Sequence, residues 1–174
     1  MNGDRTSALG TPAADGEELP VWSNDGDWLI AWHPPGEAPA GTPHGASAFC
    51  VTPDDDVVLI STDGLNWTWP GGRPEDGEDW EQVLNREMRE EACCEVRAAR
   101  LLGFVRARCL TGPEAGLILV RSVWRAEVEV SPWAPEYEIP HRKVVPAELL
   151  AESLAMEPGF EPVYARAAAE AGLI

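Results

Sequence analysis

Residues 80 to 92 have the apolar periodicity of a helix, yet three acidic residues fall on its apolar side. On a wheel of about 100° per residue, Glu87, Glu90 and Glu91 share the side that holds the apolar residues. Exposed like charges at this spacing cost about 0.2–0.5 kcal/mol, but carboxylates drawn towards a core cost far more unless they are paired or bound to a metal. Arg86 cannot neutralise three carboxylates, whereas a divalent cation such as Mg²⁺ can. A solvated acidic face is the usual alternative, and the wheel counts against it.

The residues before this segment predict where the helix begins. Asp79 is a suitable N-cap residue, and Gln82, three positions later, completes a capping box. The acidic residues of the first turn, Asp79 and Glu81, also suit the positive end of the helix dipole. Glu90 and Glu91 lie towards the negative end, so the dipole does not account for them.

The charge balance limits the partners of the chain. There are 13 basic and 30 acidic residues, giving a net charge of −17. Such a surface repels nucleic acid and anionic lipid, because both are bound through clustered Lys and Arg. A phosphate-bearing small molecule is repelled as well unless a bound cation reverses the local field.

Other features predict a cytoplasmic protein. The first twenty residues lack the apolar core of a signal peptide, and no run of about 18 apolar residues could cross a membrane. The four cysteines have neither a CxxC spacing nor a paired Cys/His ligand pattern, so we expect free thiols in a reducing compartment.

The chain divides into three segments by composition. Residues 1–20 are small, polar and rich in Pro and Gly, which predicts a disordered tail. Residues 21–45 contain the short strand "DWLIAWH" and a Pro/Gly-rich linker, and this strand is expected to join either its own sheet or that of a neighbour in a homodimer. Residues 46–174 alternate strands, a helix, strands and a helix, which predicts an α+β fold with a mixed sheet covered by helices.

The stretch from Gly72 to Cys94 resembles the Nudix box. That pattern is Gly, five residues, Glu, seven residues and R-E-U-x-E-E-x-G-U, where U is apolar; here Gly72 and Glu78 are followed by "REMREEACC" at the same spacing. The preceding "WTWPGG" is similar to the W-x-L-P-G-G that often precedes the box. One position departs from the pattern, since Cys93 stands where the family has Gly, a residue that ends the helix in a left-handed conformation.

The resemblance implies a Nudix α/β/α sandwich that binds Mg²⁺ or Mn²⁺. By the family pattern, the carboxylates of Glu87, Glu90 and Glu91 bind the metal, together with the carbonyl of Gly71. The same pattern gives structural roles to Gly72 and to a pair between Glu78 and Arg86, which holds the loop against the helix.

The implied reaction is hydrolysis of the diphosphate in a nucleoside diphosphate linked to another moiety, by water attack at phosphorus. A carboxylate takes the proton from water, and three candidates remain open for this role: Glu87 on the helix, and Glu136 and Glu138 in the later loop "SPWAPEYEIPHR". The alternative is a Nudix-fold nucleotide-binding or sensor module without turnover, because a fold does not fix a function.

Three further residues are candidates for substrate binding. Trp67 could stack on a nucleobase, although buried Trp more often serves packing. Arg106 and Arg108 share one face of a strand and could hold a phosphate through forked hydrogen bonds, although an ordinary solvated strand face is favoured. No downstream motif identifies the substrate.

Overall fold

The computed structural model describes residues 9–134 and 139–174 of the chain. The described part contains eight β-strands, three α-helices and a 3₁₀ turn at Ala147–Leu149. The strands are β1 (Leu19–Ser23), β2 (Gly26–His33), β3 (Thr42–Val51), β4 (Asp56–Ser61), β5 (Gly71–Gly72), β6 (Cys94–Cys109), β7 (Ile118–Val130) and β8 (His141–Pro146). The helices are α1 (Trp80–Ala92), α2 (Leu150–Ser153) and α3 (Glu161–Glu170). The predicted α+β class is confirmed.

One compact unit combines the described residues up to 44 with residues 102–123 and 156–174. In it, β2 pairs antiparallel with β1 and with β6, in a register that sets Val21 opposite Trp28 and Ala31 opposite Arg106. Strand β2 therefore has neighbours from its own chain on both sides, and "DWLIAWH" joins its own sheet in this structure. Helix α3 contacts β2, and Trp32 of this strand is fully buried.

Residues 9–18 differ from the disorder expected for the start of the chain. Leu9 and Ala13 are buried, and the amide of Ala13 donates a hydrogen bond to the carbonyl of Pro162 at 2.9 Å. Arg166 of α3 donates to the carbonyl of Ala13 at 2.9 Å and pairs with Asp15 at 2.8 Å. This segment is ordered by contacts with residues about 150 positions later in the chain, such as that between Ala13 and Arg166. Its local composition alone does not predict an ordered structure.

The second unit comprises residues 45–101 and 124–155. Strand β4 pairs antiparallel with β3 and β8, and the two-residue strand β5 pairs with β3 at Ala46 and Ser47. Helix α1 contacts β4 and β5, and its apolar side packs into a core formed with β3, β4 and β7. The buried residues of this core are Ala46, Ala48, Cys50, Val58, Ile60, Val83, Leu84, Met88, Ala92, Cys94, Ala126 and Val128. No helix among residues 9–134 and 139–174 is long and apolar enough to cross a bilayer.

Helix α1 begins with the predicted capping box. The Asp79 carboxylate accepts from the amide of Gln82 at 2.8 Å, and the Gln82 side chain accepts from the amide of Asp79 at 2.9 Å. The helix ends at Cys93, which adopts the left-handed conformation with φ 51° and ψ 47°. A cysteine thus occupies the backbone conformation for which the Nudix box has glycine.

We expect Cys93→Gly to raise the free energy of unfolding by about 1 kcal/mol, because glycine adopts positive φ without the steric cost that a Cβ atom brings. Cys93→Ala is the matched control, since it removes the thiol and keeps the Cβ atom. Urea denaturation of the three proteins measures the effect. A stability gain shared by both variants would assign it to the thiol and contradict the backbone explanation.

The turn after β4 is organised by one carboxylate. Asp63 accepts hydrogen bonds from the amides of Leu65 and Asn66 at 2.8 and 2.7 Å, from the Asn66 side chain at 2.7 Å and from the Ser61 hydroxyl at 2.9 Å. These donors, the backbone amides most of all, hold the pKa of Asp63 well below its usual range.

Asp63→Ala is expected to lower the melting temperature at neutral pH. A depressed pKa in the folded state contributes stability above the unfolded pKa of about 3.9, and this contribution is lost as pH falls towards the folded value. The difference in melting temperature between wild type and variant should therefore shrink below about pH 4. A difference that stays constant from neutral to acidic pH in thermal melts would show that the carboxylate charge is not the cause.

Candidate active site

Arg86 joins helix α1 to the loop that precedes it. Its Nε and Nη2 atoms both donate to the Glu78 carboxylate at 2.9 Å, and Nη2 also donates to the carbonyl of Arg73 at 2.8 Å. This forked arrangement uses the planar guanidinium in the geometry that suits a carboxylate best. It lowers the pKa of Glu78 and holds residues 73–78 against the helix.

The remaining nitrogen of Arg86 contacts the acidic cluster itself. Nη1 donates to Glu87 Oε1 at 2.8 Å and to Glu90 Oε2 at 3.0 Å. One positive charge is therefore shared among Glu78, Glu87 and Glu90, which leaves the group strongly negative. Glu91 has a different partner, because its Oε2 accepts from the amide of Gly71 at 2.9 Å.

Glu87 is the buried member of the cluster, with 7% of its surface exposed. Burial raises the pKa of its carboxyl above the ordinary value, repulsion from Glu90 and Glu78 adds to the rise, and Arg86 opposes it. A Cβ atom at position 72 would lie 2.2 Å from the Glu87 carboxylate carbon. A side chain at position 72 would displace the Glu87 carboxylate, so the absence of one at Gly72 lets β5 lie against it.

The donor set suits a hard divalent cation, since Mg²⁺ and Mn²⁺ prefer carboxylate and carbonyl oxygens. Within residues 9–134 and 139–174, no group of three or more His, Cys, Asp or Glu side chains is already arranged to enclose an ion. The guanidinium of Arg86 binds the facing oxygens of Glu87 and Glu90. A cation and this guanidinium would compete for the same two carboxylates.

A cavity of about 400 Å³ lies beside Glu90 and the end of α1. It is lined by Arg86, Arg89, Glu90, Cys93, Ser131, Pro132 and Ala134. Ser131, Pro132 and Ala134 begin the loop "SPWAPEYEIPHR" that is expected near the site for its acids, but no sequence signal singles out these three residues as cavity lining.

Arg142 of β8 holds that wall against the helix. Its Nη1 donates to the carbonyls of Ala92 and Ser131 at 2.9 Å and to that of Cys93 at 3.3 Å. Its guanidinium also stacks over Trp133, 5.0 Å from the ring centroid. The cation thus satisfies carbonyls at the helix C-terminus, where the dipole favours positive charge.

The three predicted substrate-binding residues have other contacts. Trp67 is half-buried, with Lys143 Nζ 4.5 Å from its ring centroid. Arg106 donates to the carbonyl of Ala40 at 2.9 Å, and Arg108 pairs with Glu18 at 3.1 Å. Both arginines belong to the first unit, whereas the acidic cluster belongs to the second.

The remaining predicted site residues are placed as follows. Glu87, Glu90 and Glu91 are brought together with Gly71 at the junction of α1 and β5. The two loop acids proposed as alternative bases, Glu136 and Glu138, lie outside the described residues.

A family model, the NUDIX domain, matches residues 41–167. The chain belongs to the NUDIX family. It is a Nudix-type hydrolase, and no curated protein matches it. The match begins slightly before the predicted domain start at residue 46, and it contains the whole Nudix box.

Solved Nudix structures have the same fold at low sequence identity. A variant of the Bacillus subtilis pyrophosphohydrolase BsRppH is 16% identical, with a TM-score of 0.61 over 74% of this chain and 76% of that one. A MutT protein from work on Aliivibrio salmonicida and Vibrio cholerae is 18% identical, with a TM-score of 0.54 over 74% and 99%. A Nitrosomonas europaea NUDIX hydrolase is 16% identical, with a TM-score of 0.55 over 75% and 91%.

Proposed function

We propose that this Nudix hydrolase cleaves the diphosphate of a nucleoside diphosphate linked to another moiety, with Mg²⁺ or Mn²⁺ as cofactor. The observation that carries the proposal is the acidic cluster of α1: Glu87 is buried, and Glu90 and Glu91 are partly buried beside it. Three carboxylates held in this way are costly for a metal-free protein, and the complete set of charged Nudix-box residues supports a catalytic use for them.

Glu87, Glu90 and Glu91 would hold the cation, with the carbonyl of Gly71 as a further ligand. The chemistry that such a cation supplies is neutralisation of the diphosphate charge and a lowered pKa for a water molecule. Arg86 and Glu78 fix the loop and the helix relative to each other. The amide of Gly71 orients Glu91 through its hydrogen bond.

In the proposed reaction, water attacks one phosphorus atom and the bond from that phosphorus to the bridging oxygen breaks. Each product then carries a phosphate group, and a carboxylate accepts the proton that water loses. Glu87 is a candidate for this base because it belongs to the acidic cluster beside which the attacking water would be held. Glu136 and Glu138 remain the other two candidates.

The charge of the chain agrees with a small-molecule substrate handled in the cytoplasm. At −17, the protein has no electrostatic attraction for nucleic acid or an anionic membrane. A nucleotide derivative needs only a local positive field, which the cation and the nearby arginines would provide.

A substrate panel in oxygen-18 water tests the proposal. Purified protein with Mg²⁺ would be incubated with nucleotide sugars, ADP-ribose, dinucleoside polyphosphates and nucleoside triphosphates, and the products would be separated by ion exchange. We expect metal-dependent turnover of at least one class, with the label in a phosphate product and loss of activity on adding a chelator. Binding of these compounds without hydrolysis would favour the sensor module instead.

A further inference from the structure

The Nudix box leaves one position of "REMREE" free to vary, and this chain has Arg89 there. The residue lies on α1 directly before Glu90, its side chain is exposed, and it lines the cavity of about 400 Å³. Because the cavity also borders Glu90, an occupant would lie next to the proposed metal site.

The two arginines of the cavity differ in whether their side chains already have hydrogen-bond partners. All three guanidinium nitrogens of Arg86 donate hydrogen bonds, to Glu78, Glu87 and Glu90 and to a backbone carbonyl. Within residues 9–134 and 139–174, the Arg89 side chain has no hydrogen-bond or ion-pair partner, although the chain contains 30 acidic residues. Among the described residues that line the cavity, Arg89 is thus the cation whose side chain is not already bonded.

The other polar groups of the cavity include a carboxylate and a hydroxyl. Glu90 lies 3.0 Å from Arg86 Nη1 and shares the charge of Arg86 with Glu78 and Glu87, and Ser131 brings a hydroxyl to the wall. An uncommitted guanidinium binds phosphate oxygens through two parallel hydrogen bonds. In a chain of net charge −17, Arg89 supplies the positive charge that a phosphate in this cavity would need.

We propose that Arg89 binds a phosphate group of the substrate in this cavity and thereby makes phosphate-rich nucleotide derivatives the preferred class. The inference rests on the proposed function for the identity of the ligand. It gives a substrate contact to Arg89, at the one position of "REMREE" that the Nudix box leaves free to vary.

Titration calorimetry with methylenediphosphonate and Mg²⁺ tests the contact without requiring turnover. We expect Arg89→Ala to weaken binding about tenfold or more, as loss of a hydrogen-bonded charge does. Arg89→Lys should recover part of the affinity, because it restores the charge without the fork. The matched control is Arg97→Ala, which changes the net charge equally at an exposed side chain paired with Glu129 outside the cavity; it should stay within about twofold of wild type.

Equal affinity of the Arg89→Ala and Arg97→Ala variants would overturn the inference, as would absence of diphosphonate binding by the wild type. Diphosphonate binding that depends on Arg89, combined with no hydrolysis of any panel compound, would support the phosphate contact and reject the proposed reaction. Thermal melts of the variants exclude misfolding as the cause of a loss, and Arg89→Lys keeps the test valid if Arg89→Ala is unstable.

Discussion

Glu90→Gln and Glu91→Gln are each expected to lower the rate of diphosphate hydrolysis by about a thousandfold, since a metal ligand supports several kcal/mol of transition-state stabilisation. Glutamine keeps the shape of the side chain and removes its charge. The rate constant at saturating substrate should fall while the folded structure persists, because both side chains are only partly buried. The measurement is kcat at a fixed excess of Mg²⁺ on the substrate that the panel identifies.

The matched control is Glu81→Gln, an exposed acidic residue in the first turn of the same helix. It should leave kcat within about twofold of wild type, because an exposed surface charge contributes little. Calorimetric titration with Mn²⁺ adds a second readout, since the two cluster variants should bind the ion more weakly than the control. Retention of more than a tenth of wild-type kcat by both cluster variants would exclude them as ligands essential for catalysis.

Arg86→Met is expected to destabilise the protein by about 2 kcal/mol, between the values typical of surface and buried ion pairs. Methionine keeps an unbranched apolar stem, so the main loss is the guanidinium that joins Glu78, Glu87 and Glu90. Its side chain is 15% exposed, which separates it from an ordinary surface arginine. Urea denaturation at neutral pH, without divalent cation, gives the free energy of unfolding directly.

Arg97→Met is the control for this effect, because Arg97 pairs with Glu129 at a side chain that is 62% exposed. Its loss should leave the free energy of unfolding close to that of the wild type, because an exposed ion pair contributes little. Arg86→Lys should fall between the two, since lysine cannot reproduce the fork. A destabilisation by Arg86→Met no larger than that of Arg97→Met would mean that the guanidinium does not hold the loop.

The sequence predicted best those features of the fold that depend on residues close together in the chain. The capping box at Asp79 and Gln82 forms as predicted, because it depends on residues only three positions apart. The wheel also placed Glu87 correctly with the buried side, and Ala92 near the helix end is buried as well. The end of the helix is covered by distant residues, which a wheel does not include.

Contacts between distant residues could not be read from the pattern. The expected tail is partly ordered through Ala13 and Arg166, which are 153 positions apart. Arg108, a candidate for phosphate binding, pairs instead with Glu18, 90 positions away. Arg142 belongs to no sequence motif. Its role is seen only in the structure, where it donates hydrogen bonds to three carbonyls from two chain segments.

The shortest strand of the fold sets the spacing of the acidic cluster. Strand β5 is fixed to β3 at Ala46 and Ser47, its first residue binds Glu91 through the amide, and its second touches Glu87. The positions of the two carboxylates therefore depend on the sheet as well as on the helix that carries them. A displacement of β3 would therefore be passed through the two glycines of β5 to both carboxylates of the proposed metal site.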